Sequence, residues 1–218
     1  MRRPKKSGAL SLWMNNQRVG TWAVTAQGEH VLHYDNAWLA SPLGRPISLS
    51  MPLRPATAPY KGEAVRNYFE NLLPDNDNIR QRLAKRFSTG TEAFRLLAEI
   101  GRDCVGALQI MPEAENPPSN EAIQFELLST EQVAEHLAGT LTTPAFTQTD
   151  DTFRISIAGA QEKTALLWYK ENWCRPLGAT PTTHIFKLPM GQMPGGIDLS
   201  TSVENEWLCH TLLQAFEI

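Results

Sequence analysis

The first fifty residues alternate between apolar and polar positions in short runs separated by polar turns. Leu10, Leu12 and Met14 alternate with Ser11 and Trp13, which is the period-two pattern of a strand with one buried face. Similar runs, separated by polar turns at 15–17 and 27–29, predict strands over residues 10–14, 19–24, 31–34 and 47–51. Strands this short, joined by tight turns, indicate hairpins or a meander, and the prolines that follow residue 51 mark a loop.

The middle third changes to helical spacing. Val65 and Phe69 lie on one helical face that ends at Pro74, and Asp75 or Asn76 can cap the next helix. Later apolar stripes follow other capping residues, namely Thr91 and either Ser129 or Thr130. The spacing predicts helices over 65–73, 76–87, 91–100 and 129–138, with a strand over 105–111.

The last third returns to alternation. Strands are predicted over 153–157, 164–168 and 184–188, and the glycines of 191–196 predict a loop. Ser200 or Ser202 caps a final helix, whose apolar residues we expect on one face: Val203, Trp207, Leu208, Leu212 and Leu213. The patterns together predict an α+β fold, with a β-rich N-terminal subdomain that contains helices and a second, later group of strands.

Composition narrows the class of protein. The chain has 218 residues, a net charge of -3 and 42% hydrophobic residues, which suits one large domain or two small ones. These values exclude a disordered chain, a wholly basic nucleic-acid coat and an acidic tail protein. Cys104, Cys174 and Cys209 lack a zinc-binding spacing and predict reduced thiols. No window approaches the ~20 apolar residues of a membrane span, so we expect a cytoplasmic protein without membrane association.

The turn that precedes the strand over 164–168 is the strongest candidate for chemistry. A hairpin turn that contains Gly directs backbone N–H groups toward a phosphate, and Lys163 adds a positive charge. Lys187, on a neighbouring predicted strand, reaches the same phosphates in the layout that protein kinases use. The turn holds one glycine, Gly159, and does not match the P-loop pattern. Nucleotide binding and an ordinary hairpin therefore both stay open.

Three other polar residues are candidates with structural alternatives. Ser156 either directs its hydroxyl to solvent or ligand or is a structural residue of its strand, and His184 begins a strand as a capping or surface residue. Glu206, on the final helix, either pairs with a strand lysine as in kinases or lies on a solvated helix face.

A basic helix offers a second kind of function. Its charged residues are Arg80, Arg82, Lys85 and Arg86, and a turn at 88–90 leads into the next helix. This is the outline of a DNA-binding helix-turn-helix. Acidic residues on the following helix weaken the positive field, so a solvated amphipathic helix is the alternative.

Several longer strings resemble one protein family. They are Phe153-Arg-Ile-Ser-Ile-Ala-Gly-Ala-Gln-Glu-Lys163, Thr182-Thr-His-Ile-Phe-Lys-Leu-Pro189, Trp13-Met-Asn-Asn-Gln-Arg-Val-Gly20, Asn71-Leu-Leu-Pro-Asp75, Leu96-Leu-Ala-Glu-Ile-Gly-Arg-Asp103, and Asp198-Leu-Ser200 with Ser202-Val-Glu-Asn-Glu206. They resemble, in the same order, the HipA toxin family, whose members are bacterial serine/threonine kinases of type II toxin–antitoxin modules. The resemblance runs over essentially the whole chain.

The resemblance implies two domains and a nucleotide site. Residues 1–145 correspond to the family's N-terminal subdomain, and 146–218 to a kinase N-lobe with an antiparallel sheet. Lys187 is then the lysine that contacts ATP, with Glu206 as its possible partner, and Ser156 is the autophosphorylated serine whose added charge disrupts the loop. The phosphate loop consists of Ala158, Gly159, Ala160, Gln161, Glu162 and Lys163.

The same resemblance implies cofactors and partners. The family uses ATP and Mg²⁺, and its best-known substrate is glutamyl-tRNA synthetase, whose phosphorylation halts translation and makes cells dormant. Its usual partner is the HipB antitoxin, a DNA-binding dimer, so contact with DNA is expected only through that partner.

The sequence departs from the family at its end. The family places its catalytic-loop Asp, the Asn that follows it and its metal-binding Asp in a helical C-lobe downstream of these motifs, and no such loop fits before Ile218. We therefore expect no catalytic or metal-binding residue in the chain and no kinase activity of the chain alone. If a second chain supplied a C-lobe, the apolar end, residues 207–218, would be its docking surface. The alternative is a non-catalytic binding module that engages the antitoxin or the synthetase.

Overall fold

A five-stranded antiparallel sheet forms the N-terminal half of the chain. The structure, a computed structural model, describes residues 8–102, 104, 106–115, 117, 123–142, 163–177, 180–193 and 195–218. The strands of this sheet are β1 (Ala9–Met14), β2 (Gln17–Val24), β3 (His30–Tyr34), β4 (Tyr60–Lys61) and β5 (Leu108–Pro112). They stand in the order β4-β3-β2-β1-β5, so the three predicted N-terminal strands form the predicted meander. Asn15 and Asn16 have φ of 48° and 61°, the turn geometry that matches the twist of a two-residue hairpin.

Four helices lie among these strands in the chain. They are α1 (Asn36–Ala40), α2 (Glu63–Glu70), α3 (Asp77–Arg86) and α4 (Ala93–Ile100). The core between sheet and helices centres on Trp22 of β2, whose ring stacks on Phe69 of α2 at 3.7 Å between centroids. Phe94 of α4 meets the same indole edge-on at 4.9 Å. This arrangement confirms the predicted helical stripes, because Val65 and Phe69 are both fully buried.

A four-stranded antiparallel sheet forms the second half. Its strands are β6 (Phe125–Leu127), β7 (Lys163–Tyr169), β8 (Asn172–Pro176) and β9 (His184–Lys187), in the order β6-β8-β7-β9. Helix α5 (Thr130–Thr142) packs on β7. A small hairpin of β10 (Gly191–Met193) and β11 (Ile197–Leu199) leads to helix α6 (Ser202–Ala215). The predicted α+β class with antiparallel sheets is confirmed in the residues that the structure describes.

The prediction of a strand over 47–51 is wrong. Ser48 and Met51 form one isolated bridge, and the Ser50 N–H donates to the Ser48 hydroxyl at 3.2 Å. The hydroxyl of Tyr34 donates to the Met51 carbonyl at 2.7 Å and accepts from the Ile47 N–H at 3.1 Å. Side-chain hydrogen bonds therefore close the segment into a turn, although its residues alternate as in a strand.

Two further predictions are corrected near the end of the chain. The glycine-rich segment 191–196, predicted as a loop, begins with β10, and its last two glycines turn the chain toward β11 with φ of 90° and 82°. The apolar residues of α6 do not share one face: none is buried, and at 100° per residue they surround the helix. Thr201, rather than Ser200 or Ser202, is the N-cap residue, and its side chain makes no capping hydrogen bond.

Candidate functional site

Two lysines stand side by side on the second sheet. Lys163, the first residue of β7, is directly opposite Lys187, the last residue of β9. Ala165 and Ile185 form the next pair of the same register that lies on this face, because side chains two residues apart along a strand point the same way. Ile185 is 56% exposed. The face therefore presents two positive charges beside an accessible apolar patch.

Glu206 of α6 holds one of the two lysines. The Lys187 ammonium donates to both carboxylate oxygens of Glu206, at 2.7 and 2.8 Å. The start of α6 is tied to the sheet as well, because the Met190 N–H is donated to the Ser202 hydroxyl at 3.1 Å. The ion pair is largely exposed, so it adds little to folding stability, and its effect is to fix where the ammonium points.

The electrostatics of Lys163 reflect this arrangement. Burial, and then the charge of Lys187, lower the pKa of Lys163. The carboxylates of Asp75 and Glu206 act in the opposite direction. Asp75 belongs to the N-terminal half, directly before the cap of α3, so acidic groups from two separate parts of the chain face this pair of lysines.

The predicted site residues fall into two groups. Lys163, Lys187 and Glu206 are brought together on one side of the second sheet. The predicted strand over 153–157 and the other proposed site residues lie outside the described residues: Ser156, Ala158, Gly159, Ala160, Gln161 and Glu162. Their roles stay predictions. Lys163, the first residue of β7, directly follows this segment in the chain.

Sequence reasoning did not assign Asp75 or Ile185 to the site. The sequence marks Asp75 as a capping candidate and as the end of one family string. The capping oxygen belongs instead to Asn76, which accepts from the Asn78 and Ile79 N–H groups at 2.9 and 3.3 Å. The position of Ile185 is predictable, since it lies two residues before Lys187 on the same strand and therefore on the same face of the sheet. No local signal places Asp75 near Lys163, because that proximity depends on how distant segments fold.

The basic helix is engaged within the fold. The Arg80 side chain donates to the Glu70 carboxylate and to the Pro74 carbonyl, both at 2.6 Å. The guanidinium of Arg86 lies 5.2 Å from the Phe87 ring centre, and burial lowers its pKa. These contacts tie the helix to neighbouring segments and favour the structural alternative over a DNA-reading face.

His184 takes a surface role at the start of β9. Its Nδ1 lies 2.8 Å from the Thr183 hydroxyl, and its ring stands edge-on to that of Trp173 at 5.0 Å. Within the described parts of the chain, no three His, Cys, Asp or Glu side chains form a possible metal site. Among the described helices, none is both long and apolar enough to cross a membrane.

Two family models match the chain. Residues 10–111 match the HipA N-terminal domain, and residues 155–218 match the HipA-like C-terminal domain. The first match contains all of the five-stranded sheet except the outermost residue at each end, and the second contains β7 to β11 with α6.

Curated proteins show the same relationship. A Sinorhizobium fredii protein named "Putative kinase Y4mE" is 30% identical over 201 residues, which cover 85% of this chain and 44% of that protein. The "Serine/threonine-protein kinase toxin HipA" of Shewanella oneidensis is 24% identical over 183 residues, covering 84% of this chain and 40% of the relative. The chain thus spans less than half the length of these relatives.

A solved structure shares the fold. It is the complex of HipA and HipB with operator DNA from Shewanella oneidensis, which aligns with a TM-score of 0.58 at 24% identity. The alignment covers 81% of this chain and 39% of the solved chain.

Proposed function

The chain belongs to the HipA family, and from that premise we propose that it carries the ATP-anchoring part of a HipA-like serine/threonine kinase toxin. The toxin acts in the cytoplasm, phosphorylates glutamyl-tRNA synthetase, and so halts translation and promotes persistence. A HipB-like antitoxin binds it and provides its link to DNA. The complex with HipB and DNA in which the similar solved structure was determined supports this partner.

One observation carries the proposal of nucleotide binding. Lys187 on a sheet strand donates to both oxygens of Glu206 on the following helix, at 2.7 and 2.8 Å. Protein kinases use a strand lysine and a helix glutamate in this way to orient the ammonium toward ATP phosphates. An ammonium held at a fixed position binds a phosphate without first losing side-chain freedom.

The remaining features of the lysine face fit ATP. Lys163 supplies a second cation beside Lys187, and the apolar side chains of Ala165 and Ile185 provide a surface for a flat base. We propose that backbone N–H groups of residues 158–162 cradle the phosphates and that phosphorylation of Ser156 opposes this, since it places negative charge beside the loop. The described residues offer no cluster for Mg²⁺, so no step is assigned to that ion.

We propose the division into two domains on the same grounds. The family resemblance implies residues 1–145 and 146–218, whereas β6 pairs with β8 and α5 packs on β7 of the second sheet. We therefore place the boundary between β5 and β6. The 218-residue polypeptide, tested by itself, is proposed to bind ATP without transferring its phosphoryl group.

The test of the nucleotide site is titration calorimetry with ATP. We expect Lys187→Ala to weaken binding by about tenfold or more, because a charged hydrogen bond to phosphate is worth about 1.5–3 kcal/mol. Lys85→Ala removes the same charge from an exposed position of α3 and should leave the affinity for ATP unchanged. Equal affinities for Lys187→Ala and the wild-type chain would contradict the proposal.

The alternative function is a binding module without nucleotide. Helix α6 favours it, because Trp207 is 68% exposed and Phe216, directly after the helix, is 71% exposed. Capture of a HipB-like antitoxin by a chain that binds no ATP would support this alternative. Phosphoryl transfer by the isolated chain that is lost in Lys187→Ala would contradict both the alternative and the expected inactivity.

A further inference from the structure

Helix α5 covers the sheet face opposite the two lysines, and it does so partly through a polar contact. His136 Nε2 and Thr164 Oγ1 lie 2.9 Å apart, a hydrogen bond whose donor depends on the histidine tautomer. Thr164 is 2% exposed. It follows Lys163 in the chain and stands opposite Phe186, the neighbour of Lys187. The contact therefore fixes the strand positions that carry both lysines.

The charged surroundings of His136 come from the other strands of the same sheet. Arg175 of β8 lies on the Thr164 face and pairs with Glu126 of β6. His184 of β9 shares the face but is exposed, and β7 contributes only Thr164, Leu166 and Trp168 there. On α5 itself Glu131 and Glu135 are exposed. Burial, and then Arg175, lower the pKa of His136 from its ordinary 6.5.

We propose that His136 is a positioning residue of the nucleotide site, which holds the start of β7, and with it Lys163 and Lys187, through its hydrogen bond to Thr164. The inference rests on the proposed function. Neutral imidazole fits between α5 and the sheet, whereas imidazolium places a partly buried charge near the Arg175 guanidinium. Protonation therefore loosens α5 from β7 and weakens the binding of ATP.

The direction of the pH effect follows from the lowered pKa. Because the pKa of His136 lies below its ordinary 6.5, the neutral form predominates at pH 6.5, and it gives way to imidazolium as the pH falls below that value. As far as His136 is concerned, the affinity for ATP should thus change little above pH 6.5 and should fall in the acidic range.

The experiment is titration calorimetry of the full chain with ATP between about pH 5.5 and about pH 8. His136→Gln keeps a hydrogen-bonding group that does not titrate, and we expect it to bind like the wild type at high pH and about 3–10-fold more tightly at low pH. His136→Phe and Thr164→Val remove the contact and should bind about 3–10-fold more weakly than the wild type at high pH, with a smaller difference at low pH, where the wild type loses the contact as well. Glu135→Gln, an exposed neighbour, should follow the wild type.

Several results would overturn the inference. One is a His136→Gln profile that coincides with the wild-type profile, and another is unchanged affinity in a Thr164→Val variant whose melting curve shows an intact fold. Protonation of ATP itself is common to all variants and cancels in their ratios. If Lys187→Ala abolishes binding while His136→Gln follows the wild type, only this inference fails. If the wild-type chain binds no ATP, the proposed function fails, and this inference fails as well.

Discussion

At the scale of single residues, the first sheet depends on one place where no side chain fits. Gly20 of β2 stands opposite Leu12 on one side and Tyr34 on the other. A Cβ atom at Gly20 would lie 2.0 Å from the His33 carbonyl oxygen, far inside van der Waals contact. Because that oxygen belongs to the backbone of β3, the strand itself would have to move.

We expect Gly20→Ala to lower the free energy of unfolding by about 3 kcal/mol, at the upper end of the usual cost of overpacking. Gly28→Ala is the matched control, since its Cβ meets nothing within 4 Å and only its φ of +87° is unfavourable. That strain costs about 1–2 kcal/mol. Urea unfolding followed by tryptophan fluorescence measures both changes, and equal midpoints for the two variants would contradict the steric argument.

At the scale of elements, α3 shows how a local signal defines a helix. Asn76 accepts hydrogen bonds from the Asn78 and Ile79 N–H groups, and Asp77 adds a negative charge at the positive end of the helix. We expect Asn76→Ala to cost about 1 kcal/mol of stability in the same unfolding experiment, because two donors lose their acceptor. Asn76→Ser keeps a capping oxygen, so a loss as large as that of Asn76→Ala would contradict the role of the cap.

Elements that the sequence predicted well have their determinants within a few residues. The Asn15–Asn16 turn and the Asn76 cap are of this kind, and both stand where they were predicted. Strands β4 and β6 are two and three residues long, too short for a period, and exist only because β3 and β8 pair with them. Pairing with β7 likewise determines β8, whose sequence contains no apolar run that predicts a strand.

The candidate site was predictable to the same extent. Lys163, Lys187 and Glu206 were identified from their residue types and from a family resemblance. Lys187 and Glu206 meet across nineteen positions of sequence, because the β10–β11 hairpin returns the chain to the sheet. That hairpin does not follow from spacing alone, whereas the distribution of apolar residues around α6 does, at 100° per residue. The prediction of one apolar face on α6 is wrong because steps of one and four residues, although each joins neighbours on a helix, together spread the apolar side chains around its circumference.

At the scale of the whole molecule, the N-terminal half influences the pair of lysines by charge. Arg80 donates to the Pro74 carbonyl and to Glu70, which fixes the segment that carries Asp75. The carboxylate of Asp75 raises the pKa of Lys163 against the larger, opposite effects of burial and Lys187. A carboxylate near a phosphate-binding ammonium also repels the phosphate, so at the proposed nucleotide site we expect this half of the molecule to reduce the affinity for ATP.

We therefore expect Asp75→Asn to strengthen the binding of ATP by about 2–10-fold at low salt, with a smaller gain at high salt, because the interaction crosses solvent. Asp77→Asn makes the same change of charge two residues further on and should alter the affinity little. The gain should disappear when Lys163 is replaced by Ala, since coupled residues are not additive. Titration calorimetry on the wild type, Asp75→Asn, Lys163→Ala and the double variant measures these affinities.

An equal gain in the Lys163→Ala background would show that Asp75 acts on ATP directly. A loss of affinity in Asp75→Asn would show that the N-terminal half supports the binding of ATP instead of weakening it.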